Sequence, residues 1–131
     1  MNVNTGHFFK LLKYYKSISM LAFVLLISLL PADNTNKVLF IDFPHIDKVI
    51  HFIMYFLLSL AILFDIYSDK KKPTKIYALS VLSLVLIFSG IIEIIQELYI
   101  DSRSGSYYDL ISNFIGLIFG FIIYRKYKII F

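Results

Sequence analysis

The 131-residue chain has no cysteine and no tryptophan, and only 17% of its residues are charged. Without cysteine, disulfides, thiolate nucleophiles, cysteine-ligated metals and lipoprotein-type acylation are excluded, and the redox compartment is left open. The scarcity of charge decides the class. A soluble domain carries about a quarter of its residues as Asp, Glu, Lys and Arg, whereas this chain is 59% hydrophobic with a mean hydropathy of +0.76. It reads as an integral membrane protein whose fold the lipid must help to hold. The abundance of Ile, Lys, Phe, Tyr and Asn, with no Trp, points to an AT-rich bacterial genome.

Four apolar segments stand out, at about residues 14–30, 46–66, 76–98 and 108–124. Each is near the roughly 17 to 25 residues that a bilayer core requires. Backbone groups in lipid must bond within their own segment, so the expected fold is all-α, a polytopic bundle of four transmembrane helices in one domain. In the absence of Trp, tyrosines supply the aromatic belt: Tyr14, Tyr15, Tyr67, Tyr77, Tyr99, Tyr107, Tyr108, Tyr124 and Tyr127 lie at segment ends. Pro31 and Pro73 fall where helices end. A basic stretch before an apolar run also describes a secretory signal, but LLPAD puts Leu30 where a cleavage site wants a small residue, and the first segment is read as a retained helix.

Ten of the thirteen Lys and Arg precede helix 1, join helices 2 and 3, or follow helix 4. The positive-inside rule makes that side cytoplasmic, with both termini inside. Seven of the nine acidic residues lie in the two other connections or in the adjoining helix ends. The net charge of +4 is accounted for by a basic rim on anionic lipid, and no nucleic-acid partner is implied.

The stretch HIDKVIHFIMYFLLSLAILF opens with groups that lipid penalises. At 100° per residue Asp47, His51 and Tyr55 share one helix face, with Lys48 beside them. Helix 3 puts Ser89, Glu93, Gln96 and Glu97 within about one quadrant, and helix 4 repeats Asp109, Asn113, Gly116 and Gly120 along one stripe. Ionisable groups at membrane depth face a bundle interior or a wet cavity, so the three stripes predict one pocket opening outward. Within it His51 and Glu93 are the candidate acid/base pair, able to share a proton. Arg103, in the outer loop, has a donor fork suited to an anionic headgroup, set against a simple pairing with Asp101 or Asp109. Gly116 and Gly120 suit close helix packing. Asp47, Lys48 and Asn113 have equally plain uses as a helix-start ion pair and an interhelical bond. Asp47, His51 and Glu93, one deep His with scattered carboxylates, make an incomplete zinc set, so neither metal nor cofactor is expected.

The positions Asp47, Lys48, His51, Tyr55, Glu93, Gln96, Arg103, Ser106, Asp109, Asn113, Gly116 and Gly120 together resemble the signature of the VanZ-like family of small bacterial membrane proteins. The resemblance covers about residues 47–120. It implies a multi-pass protein of the bacterial cytoplasmic membrane and a link to teicoplanin susceptibility, and it names a site without naming a reaction. Asp47, Lys48, Tyr55, Gln96, Arg103, Ser106, Asp109 and Asn113 are then the expected ligand-binding set. Two functions of different kinds are carried forward. One is an enzyme acting on a lipid or lipid-linked envelope precursor through His51 and Glu93. The other is a binding or accessory protein for an amphiphile such as a lipid-linked substrate or lipoglycopeptide. Ser89, Ser106 and Ser112 lack the local motif of an activated serine. The sequence leaves the oligomeric state open.

Overall fold

The computed structural model describes residues 13–30, 46–68, 73–99 and 106–128. They form four helices: α1 (Tyr15–Leu29), α2 (Ile46–Tyr67), α3 (Lys75–Tyr99) and α4 (Tyr107–Lys128). No strand occurs among the described residues. Three of the helices, α2, α3 and α4, are long and apolar enough to cross a membrane. α1 has 15 residues, about 22 Å of helix, and is shorter than the others. Its end is local in origin. Leu30 has φ −72° and ψ 138°, the extended backbone that a residue before proline prefers.

The start of α1 is made by a tertiary contact. Tyr14 provides no side-chain cap. Instead Asp65, near the end of α2 and 1% exposed, accepts hydrogen bonds from the Ser17 backbone N–H at 2.7 Å and the Ser17 hydroxyl at 2.6 Å. Lys16 Nζ lies 3.8 Å from the same carboxylate. A carboxylate at a helix N-terminus satisfies orphan N–H groups and complements the dipole. Asp65 was not among the sequence candidates.

α2 and α4 pack most extensively, α1 lies against α2, and α3 leans more loosely on α4 and α1. The α2–α4 contact is close because Gly116 and Gly120 face α2. A Cβ added at Gly116 would sit 2.5 Å from the Phe52 carbonyl oxygen, and one at Gly120 would sit 2.7 Å from Ser59 Cβ. Ser59 Oγ donates to the Leu117 carbonyl at 2.9 Å across the same seam. Phe52, Phe56 and Phe119 flank it with ring centroids about 6 Å apart. Val24, Met54, Leu58, Ile62, Leu82 and Leu117 form the apolar core.

The distribution of polarity is that of a membrane protein. Ser28, His51, Ser59, Asp65, Ser89, Glu93, Gln96, Asp109 and Asn113 are buried, while Leu26, Ile76, Leu84, Ile87, Phe88 and Leu98 are exposed. Lipid solvates the apolar exterior. The interior polar groups must find one another.

Candidate functional site

The close α2–α4 crossing brings His51 against Asn113, with Nδ1 3.0 Å from Oδ1. Asn113 Nδ2 donates to Ser89 Oγ on α3 at 2.6 Å and reaches Glu93 Oε1 at 3.4 Å. Asn113 Oδ1 is therefore the acceptor turned toward His51, and His51 Nδ1 carries the hydrogen. Glu93 Oε1 is also 3.5 Å from His51 Nδ1. His51 and Asn113 are 1% and 0% exposed, so the network is sealed at its centre. The Glu93 carboxylate is also approached by the Ser106 backbone N–H at the start of α4.

Tyr55 brings its hydroxyl to Ser89, which ties the deeper end of the α2 stripe to α3. Nearer the start of α2, His51 Nε2 is 3.9 Å from Asp47 Oδ1. Lys48 Nζ is 4.0 Å from Asp109 Oδ1 and 5.8 Å from the Tyr108 ring centre. The Asp109 charge also acts on Glu93. Asp47, Lys48, His51, Tyr55, Glu93, Asp109 and Asn113 thus lie in one connected region.

Gln96 stands apart from that network, whereas the Ser106 backbone N–H reaches the Glu93 carboxylate. The Gln96 amide donates to the Ser28 carbonyl of α1, so it ties α3 to α1. Ser106 caps α4, its hydroxyl accepting from the Tyr108 N–H at 3.2 Å. Arg103 lies outside the described residues. Ser89, on the α3 polar stripe but outside the expected ligand set, belongs to the network.

Glu93 has a second face. A groove of about 500 Å³ runs between α3 and α4, lined by Ile87, Gly90, Ile91 and Leu110 along its apolar length and by Glu93, Glu97 and Ser106 where it becomes polar. That volume falls within the roughly 300 to 1,000 Å³ of small-molecule sites. Glu93 joins the sealed network to this groove.

The family model described as VanZ/LLP1 matches residues 3–131. The chain belongs to the VanZ/LLP1 family. The match runs through α1 and both tails, beyond the stretch of about residues 47–120 on which the resemblance was read. No curated protein and no solved structure matches the chain. In this VanZ/LLP1 membrane protein the network rests on its own geometry alone.

Proposed function

We propose that this VanZ-like protein spans the bacterial cytoplasmic membrane several times, as one VanZ-like domain with both termini in the cytoplasm. Its polar pocket opens outward and takes a lipid or lipid-linked component of the cell envelope. The observation that carries the reading is the double exposure of Glu93, one oxygen in the His51–Asn113 network and the residue itself in the wall of an apolar groove. An amphiphile has the matching chemistry: its chain lies along Ile87, Ile91 and Leu110, and its head meets Glu93. His51 and Glu93 are the candidate reactive pair. Asp47, Lys48, Tyr55, Gln96, Arg103, Ser106, Asp109 and Asn113 are the candidate binding set, and through such a ligand the protein would alter susceptibility to teicoplanin.

The second reading, an accessory protein that binds the amphiphile without chemistry, is favoured by one contact. Ser89 Oγ receives a hydrogen bond from the Asn113 amide, and an amide cannot activate a hydroxyl as a base would. The experiment compares lipids and envelope precursors in cells making the wild-type protein or Glu93→Gln at equal membrane abundance. Under the enzymatic reading Glu93→Gln abolishes the change in precursor levels that the wild type causes. Unchanged lipids with altered teicoplanin susceptibility select the binding reading. A full phenotype at normal abundance removes Glu93 from the function.

A further inference from the structure

Above the groove, the outer ends of α2 and α4 place a different set of donors together. We propose that Asp47, His51 and Asp109 bind one divalent transition-metal ion, with His51 Nε2 and one oxygen of each carboxylate as ligands. One donor atom from each of the three residues lies within 4.8 Å of the others. Asp47 and His51 are a single turn apart on α2, and α4 supplies Asp109.

The imidazole is set up for this role. Asn113 accepts from Nδ1 and is itself held by Ser89, so in neutral His51 the lone pair is on Nε2. That nitrogen belongs to a side chain 2% exposed and faces Asp47 Oδ1 at 3.9 Å, beyond hydrogen-bonding distance. A buried lone pair turned toward carboxylate oxygens is an arrangement that a cation between them stabilises. A His whose other nitrogen is fixed by a hydrogen bond is also the usual partner arrangement behind a metal ligand.

One imidazole and two carboxylates suit Zn²⁺ or a similar ion, with a coordination position left open. Mg²⁺ and Ca²⁺ prefer oxygen alone. Tetrahedral ligands around zinc sit roughly 3.3 Å apart, so the three donors, within 4.8 Å of one another, must close by up to about 1.5 Å. The Asp47 side chain, 45% exposed at the start of α2, has room to do so. Lys48 competes, because its ammonium lies 4.0 Å from Asp109 Oδ1. With its side chain 33% exposed, it can withdraw toward water as the ion enters.

The test uses the full chain in detergent micelles, with any affinity tag removed, stripped by a chelator and titrated with Zn²⁺ against a chromophoric competitor. One Zn²⁺ per chain is expected, with a raised unfolding temperature that Mg²⁺ at the same concentration does not reproduce. Asp47→Asn should weaken binding about tenfold or more, and Asn113→Ser, which loosens the imidazole, about 10- to 100-fold. Lys48→Ala should tighten it. The proposal is overturned if the wild type binds no more Zn²⁺ than a His51→Ala chain. It is overturned equally if Asp47→Asn and Asn113→Ser bind as tightly as wild type. Neither readout depends on the amphiphile, so this site and the groove stand or fall separately.

Discussion

Asp65 shows what a single buried carboxylate does in this bundle. It replaces the missing cap of α1, accepting two bonds from Ser17 and facing Lys16. Helix caps contribute about 0.5–2 kcal/mol. Asp65→Ala should therefore lower stability by about 1–2 kcal/mol in thermal unfolding of the purified protein, with hydrogen exchange rising at the first turn of α1. Asp65→Asn keeps an acceptor and should recover part of the loss. An alanine variant as stable as wild type, with α1 equally protected, would show that the cap has no weight.

At the scale of elements, the decisive contact is α2 on α4. Gly116 meets main-chain atoms of α2, the Phe52 carbonyl oxygen at 2.5 Å and the Phe56 nitrogen at 3.0 Å from an added Cβ. Backbone cannot move aside as a side-chain tip can, so Gly116→Ala should push the helices apart. Gly90 is the natural control, since a Cβ there would meet Leu110 Cδ1 at 3.9 Å, an ordinary contact. Gly116→Ala should reduce membrane abundance and unfolding temperature, and Gly116→Leu should do so further. Gly90→Ala should be neutral or mildly stabilising, as removal of a helical glycine usually is. Equal behaviour of the two alanine variants would separate Gly116 from the packing. Because the same crossing sets the 3.0 Å His51–Asn113 contact, its loss would also open the site.

The whole molecule combines an apolar exterior with charge at its two ends. Lys16, Lys75, Arg125 and Lys126 mark one end of the helices, and Asp47, Glu97 and Asp109 mark the other. The proposed topology, with both termini in the cytoplasm, is the one the positive-inside rule favours. A reporter fused after Phe131 should be active only if it folds in the cytoplasm, and one inserted at residues 101–105 only if it folds outside. Activity in the reverse pattern would invert the topology and with it the outward pocket.

Class and helix number were legible in the chain because both follow from local quantities. Apolar length fixes how many segments can cross a bilayer, and the 100° helical step fixes which residues of a segment share a face. Asp47, His51 and Tyr55, like Asp109 and Asn113, share a face by that step alone. Periodicity does not say which helix a stripe will meet. Gln96 shares a quadrant with Glu93 in the sequence, yet it turns to Ser28 of α1, while Glu93 turns to His51 and Asn113. Asp65 carried no periodic signal, because its partner Ser17 is 48 positions away. The three polar stripes, expected to line one pocket, are joined mainly through the α2–α4 crossing, with Ser89 and Glu93 reaching in from α3. That arrangement was decided by packing between helices far apart in the chain, where a missing Cβ at Gly116 sets how closely two backbones approach.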